Sequence, residues 1–142
     1  MNETMRKFGY PATLVAEFDH WAVLLRPAQP TLGSLVLAVK SDATALSDLP
    51  AEAHAEMHQA SRAIERALAA FTGYAKINYL MLMMVDPHVH SHVIPRYKGT
   101  RTFGGLEFTD AGWPRLPDLG SAVALDDAQI AAIVSALKPH FT

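Results

Sequence analysis

The spacing of apolar positions changes several times along the chain, and each change marks a new element. Across residues 12–40, short stretches rich in Val, Leu and aromatics are broken at Asp19-His20 and again by Pro27, Pro30 and Gly33. That pattern predicts a meander of about three strands. After Ser47-Asp48-Leu49-Pro50 the repeat lengthens to three and four residues. Ala53, Met57, Ala60, Ile64, Ala67, Leu68 and Phe71 form one face of a predicted helix over residues 50–71, stopped by Gly73. Residues 76–85 (KINYLMLMMV) are short and evenly apolar, as a central strand covered on both faces would be. Asp86-Pro87 interrupts them, and residues 88–97 resume as an extended run expected to pair with the first. Residues 98–120 follow no period and predict a long functional loop, whereas Ile130, Ile133, Val134 and Leu137 restore helical spacing near the end. The elements add up to an α+β fold: an antiparallel sheet of about five strands, one long helix packed on one face and a short C-terminal helix. A length of 142 residues fits a single domain spanning residues 1–142.

Composition narrows the possible chemistry. Half of the residues are apolar and only 18% are charged, so the chain can build a core and is not of the disordered class. A net charge of -2 gives no overall attraction to nucleic acid or an anionic membrane, so neither is expected as a partner and any phosphate chemistry has to be local. The absence of cysteine excludes disulfides, thiolate nucleophiles and sulfur-ligated metals, and fits a reducing compartment. Residues 1–10 are polar, and no apolar run approaches the roughly 20 residues that span a bilayer, so the expected location is the cytoplasm.

Chemistry concentrates at His88-Val89-His90-Ser91-His92-Val93-Ile94. On a strand, side chains alternate faces and same-face neighbours lie about 6.6–6.8 Å apart, so the three imidazoles would emerge in a row while Val89, Ser91 and Val93 point the other way. Packing does not account for three adjacent rings that repel one another when charged. Two uses fit. One ring can act as nucleophile or base while its neighbours hold an anion, since imidazole titrates near neutral pH and both attacks and donates. Alternatively, two or three rings ligate zinc, although only Asp86 stands close enough in sequence to complete a ligand set. Arg96, Lys98 and Arg101 follow directly and form a local positive patch suited to phosphate, with Arg96, set after Pro95, the foremost candidate. His54-Ala55-Glu56-Met57-His58 imitates a metalloprotease helix, but Glu56 stands two residues after His54 rather than one. It is therefore rotated roughly 200° away, and His54 and His58 read as the polar flank of the helix. Trp21, Phe18 and Leu25 read as core residues, and Met81, Met83 and Met84 as adaptable core.

In these residues the chain resembles the histidine triad (HIT) superfamily of nucleotide hydrolases and transferases, whose signature is His-x-His-x-His followed by two apolar residues. Pro95-Arg96 after the triad looks like the dinucleoside polyphosphate hydrolase branch. The order of elements from residue 14 to residue 97 is similar as well. The resemblance implies that His90 is the nucleophile toward an α-phosphorus, forming a nucleotidyl-histidine that water then cleaves. It implies that His88 and His92 hold phosphate oxygens and assist the leaving group. Asn78, Arg96 and Ser34, the last standing where the family usually has the histidine of Gly-His, are carried over as substrate-binding residues. No cofactor and no obligatory metal are implied, and the partners would be a small nucleotide derivative and a second copy in a homodimer. The sequence departs from the pattern where a ribose-binding acidic residue or Asn aligns with Leu25 or Arg26, and where residues 79–86 replace a glycine-rich loop. Beside the catalytic reading stand a zinc-dependent hydrolase and a nucleotide-binding module without chemistry. Trp113-Pro114 is a candidate lid or subunit contact.

Overall fold

A computed structural model describes residues 1–142. Two runs, Trp21–Leu25 (β2) and Leu35–Val39 (β4), are buried at every position, because each strand is covered on both faces. They lie inside a five-stranded antiparallel sheet of order β1-β2-β4-β6-β5, completed by Leu14–Glu17 (β1), Lys76–Leu80 (β5) and His90–Arg96 (β6). The expected α+β architecture is present. Two small additions were not anticipated: Ala28–Gln29 (β3) pairs with Val123–Ala124 (β9), and Thr100–Phe103 (β7) pairs with Leu106–Thr109 (β8).

One face of the sheet carries the long helix Ala51–Thr72 (α2), which presents Ala53, Ala60, Ile64, Ala67 and Leu68 inward. Burying an Ile or Leu of this kind contributes roughly 1.5–3 kcal/mol. The Trp21 indole donates to the Ala53 carbonyl at 2.8 Å and fixes the start of the helix over the sheet. Gly73, at φ +61°, ends it in the left-handed conformation. Gly33, at φ +93°, permits the turn into β4 to come under α2; a β-carbon there would meet Leu68 and Thr72 side chains at 3.0 Å. The helix Asp127–Leu137 (α3) opens on a capping box between Asp126 and Gln129 and adds Ile130, Ile133, Val134 and Leu137 to the same core.

The opposite face is covered by the N-terminus. Glu3–Lys7 (α1) is a single turn and a half, capped by the Asn2 side chain, which accepts from the Met5 amide at 2.9 Å. Met5 is buried on Ala22, Leu24, Val36 and Ala38. Polar composition concealed this helix, whose five residues are too few to display a period.

Two expectations require correction. Residues 76–85 are not a central strand: the strand stops at Leu80 and forms an edge of the sheet, and Met84 and Val85 stand 85% and 81% exposed. Met83, with φ +40°, takes the chain out of the extended path. Residues 98–120 are not wholly irregular either. Gly104-Gly105, both at positive φ, makes the two-residue turn of the β7–β8 hairpin. No helix is long and apolar enough to cross a membrane.

Candidate active site

The central position of β6, between β4 and β5, decides where the histidines go. His90 lies opposite Ala38, and His92 lies opposite Val36 on one side and Leu80 on the other. Both rings therefore leave the sheet on the face away from α2, with centroids 5.1 Å apart and planes at 80°. Val89 and Val93 enter the core under α2, as alternation requires. Ser91 lines a cleft on that side with His54 and His58, so those two helix histidines are separated from the triad by the sheet. His88 precedes the strand. Its Nδ1 is 3.1 Å from the Thr4 hydroxyl and its Nε2 is 4.0 Å from the Asp42 carboxylate.

The N-terminal segment closes over this face. The Phe8 ring sits 5.8 Å from His90 and 5.5 Å from His92, edge-on to the latter. The Asn2 amide donates to the carbonyls of Val39 and Ser41 at 2.8 and 2.7 Å, tying the segment down. His90 is consequently 1% exposed and His92 6%. The rings are enclosed by a cover of local sequence, not by the helix-side core.

Hydrogen-bond partners fix the protons. His90 Nδ1 is 2.7 Å from the His88 carbonyl, which can only accept, so Nδ1 bears a proton and the neutral tautomer of this ring has its lone pair on Nε2. His92 Nδ1 faces Arg26 Nε at 3.4 Å. A guanidinium only donates, so Nδ1 accepts and the His92 proton is on Nε2. Burial, then the charge of Arg26 and then His90 push His92 down to about 4, against a smaller opposing effect of Asp86. The two tautomers are therefore complementary: neutral His90 has its lone pair on Nε2, and His92 has its N–H there. Being neutral, His92 can donate a hydrogen bond but has no proton to spare as an acid.

The expected basic patch is placed differently. Arg96 is buried and donates from Nε and NH2 to both oxygens of Asp110, at 2.7 and 3.0 Å, and from NH1 to Asn78 Oδ1 at 2.8 Å. Its charge is neutralised by Asp110, and with Asn78 it lines a cleft of about 750 Å³ shared with Lys76, Trp113 and Arg115. Arg101 stacks 4.2 Å over the Tyr97 ring and donates to the Thr72 carbonyl, while Lys98 is exposed. Ser34 does not fit a substrate-binding role. It is fully buried, and its hydroxyl is used within the turn on Thr31, donating to the carbonyl at 2.8 Å. Trp113-Pro114 lines the cleft beside β5 and does not cover the triad.

Comparison with known proteins agrees with the geometry. The HIT domain profile matches residues 7–99, about two thirds of the chain and the whole of the sheet and triad. The chain belongs to the HIT family. A histidine triad protein of Bradyrhizobium japonicum aligns over 100% of this chain and 97% of its own, with a TM-score of 0.74 and 23% identity. Diadenosine triphosphate hydrolase of Plasmodium falciparum, solved with cyclomarin A, aligns over 93% of this chain and 80% of its own, with a TM-score of 0.68 and 11% identity. A zinc-bound histidine triad family protein of Mycobacterium smegmatis aligns over 91% and 88%, with a TM-score of 0.56 and 22% identity. At such identities the likeness is one of fold. No curated protein sequence matches the chain.

Within this HIT site, four residues escaped the sequence reading. Arg26 was noted only as a departure from an acidic position, yet it is the residue that sets the His92 proton. Asp110 lies in the stretch read as loop, and no local pattern connects it to Arg96, fourteen positions away. Thr4 and Phe8 belong to the unpredicted cover. Three or more His, Asp or Glu side chains do not converge anywhere as a metal-ligand set. Arg26 also places a positive charge where a dication bound by His92 would be repelled.

Proposed function

We propose that this HIT protein hydrolyses or transfers at the α-phosphorus of a nucleotide derivative, either a dinucleoside polyphosphate or a nucleotide phosphoramidate, through a covalent nucleotidyl-His90. The observation that carries the reading is the hydrogen bonding of neighbouring rings through Nδ1, His90 to a carbonyl and His92 to a guanidinium, which leaves neutral His90 with its lone pair on Nε2 and His92 with its N–H there. The His90 lone pair attacks phosphorus, a P–N bond forms, and the bond to the leaving group breaks with its electron pair staying on the departing atom. His90 becomes cationic, and the His88 carbonyl on Nδ1–H stabilises that charge. His92 donates a hydrogen bond to a non-bridging oxygen and keeps its proton, so a phosphate leaving group departs as an anion and an amine leaving group takes its proton from water. Water then attacks phosphorus, the P–N bond breaks with its electrons returning to Nε2, and the surplus proton passes to solvent. Asn78, oriented by Arg96, is in this reading a further donor to substrate, and His88 contributes its backbone carbonyl. The name of the Plasmodium falciparum relative is in keeping with this chemistry.

The test is mass spectrometry after incubation with a dinucleoside polyphosphate or a nucleoside phosphoramidate. A nucleotidyl adduct on His90 is expected, absent from a folded His90→Gly variant; an adduct that persists in that variant overturns the nucleophile. Binding with neither adduct nor product identifies a module without chemistry. The zinc-bound relative keeps a metal-dependent reading in play. Stoichiometric zinc, with activity lost on chelation, would favour it. We also propose a homodimer, because β5 leaves one sheet edge unpaired beside the exposed side chains of Tyr79, Leu82, Met84 and Val85. Light scattering should give twice 15.5 kDa; a monomer at micromolar concentration argues against it.

A further inference from the structure

Arg26 follows β2 and crosses β4 to reach the histidines. Its NH1 donates to the Ala28 carbonyl at 2.6 Å and its Nε faces His92 Nδ1 at 3.4 Å, and both partners are neutral. No carboxylate lies within ion-pair distance; the ion pairs of the protein involve Arg6, Lys7, Lys40, His88 and Arg96, but not Arg26. NH2 makes no hydrogen bond to the protein. The contrast with Arg96 is instructive, since that guanidinium is more deeply buried and is neutralised bidentately by Asp110.

A half-buried guanidinium with only neutral partners is costly, because burial removes water without supplying a counter-charge. The same desolvation lowers the Arg26 pKa from its ordinary value. Folding would be better served by a neutral side chain or by an acid nearby. Here the charge stands instead beside the ring that offers its N–H to substrate, with one face of the guanidinium unused. Arg is suited to phosphoryl oxygens by its planar fork and permanent charge.

We propose that Arg26 is the anion-binding residue of this site, engaging phosphoryl oxygens of the substrate next to His92 and selecting ligands that carry negative charge there. This inference rests on the reading of the triad as a phosphoryl site, and it replaces Arg96 as the source of positive charge. It also gives Arg26 a second effect, the fixing of the His92 tautomer, so the two have to be separated.

The experiment compares the native protein with Arg26→Lys and Arg26→Met, using pyrophosphate as the probe and titration calorimetry as the measurement. NMR of the imidazole nitrogens reports the His92 proton. Loss of at least tenfold in pyrophosphate affinity is expected for Arg26→Met, with partial recovery in Arg26→Lys, and the affinity of the native protein should fall steeply with salt. Equal affinity in native and Arg26→Met proteins overturns the proposal. So does normal pyrophosphate affinity in Arg26→Met combined with a changed His92 tautomer, since Arg26 would then be a positioning residue only. Pyrophosphate binding needs no covalent step. Failure to label His90 in a native protein that still binds pyrophosphate through Arg26 would end the catalytic reading and leave this inference standing.

Discussion

Replacing Asp110 by Asn removes the partner of a guanidinium that has no other counter-charge. The Arg96 and Asp110 side chains are 4% and 2% exposed, so water does not screen the pair and cannot take over when the carboxylate is lost. Breaking a buried pair from one side costs about 3–5 kcal/mol, because the remaining charge is left desolvated. Asn keeps a carbonyl for one Arg96 nitrogen, which puts Asp110→Asn at the lower end, near ~3 kcal/mol, and Asp110→Ala at the upper. For a domain of this size the loss corresponds to a fall in Tm of about 6–12 °C for Asp110→Asn. Urea unfolding followed by circular dichroism would read it as a shifted midpoint with an unchanged slope. The double replacement Arg96→Met with Asp110→Leu should recover most of the stability, since an apolar pair of similar volume avoids the desolvation altogether. A loss below about 1 kcal/mol in Asp110→Asn would refute the reasoning, for it would mean that Arg96 is solvated and available to ligands.

Two further outcomes follow from the site. Phe8→Ala opens the cover over the rings, so diethyl pyrocarbonate should modify His90 several-fold faster than in the native protein; an unchanged rate would show that Phe8 is not what shields it. His92 supplies a pH dependence of stability. Its folded pKa of about 4 lies below the ordinary 6.5, so the unfolded chain binds the proton first. Stability is therefore complete above pH 6.5 and declines as pH falls toward 4, by at most roughly 3 kcal/mol and less to the extent that water reaches the ring. Between pH 7 and pH 4.5 the urea midpoint of the native protein should fall further than that of His92→Gln, and parallel declines would count against the assignment.

Period and punctuation made the scaffold legible, because β2, β4 and α2 owe their form to which of their own residues face the core. The alternation of His90, Ser91 and His92 likewise needed only the geometry of one strand. What could not be read locally depends on pairs far apart in sequence. Residues 81–85 are apolar at every position and residues 76–80 are not, yet only the latter find a ladder, so composition overestimated the strand. Arg96 looked like a free cation since its partner Asp110 arrives by way of the β7–β8 hairpin, and Ser34 looked like a ligand since nothing in its neighbours announces a turn that consumes its hydroxyl on Thr31. Arg26 misled in the opposite direction. Compared with an acidic position it reads as lost function, whereas its surroundings make it the unmatched charge of the site.

The cover and the unmatched charge bear on each other. Lifting residues 2–8 from the sheet exposes Met5, worth roughly 1.5–3 kcal/mol, and releases two Asn2 hydrogen bonds of about 1 kcal/mol each. A free energy of about 4 kcal/mol leaves the open form at roughly one molecule in a thousand, and the apparent affinity of any ligand that needs it falls by the same factor. A neutral nucleoside meeting apolar walls and two imidazole rings gains little with which to offset that cost. In the proposed reading a phosphoryl group gains the Arg26 fork and the His92 N–H together, and the second of these is reached only when the cover has moved. Charge on the ligand, not the shape of its base, is then the quantity that decides whether His90 is reached.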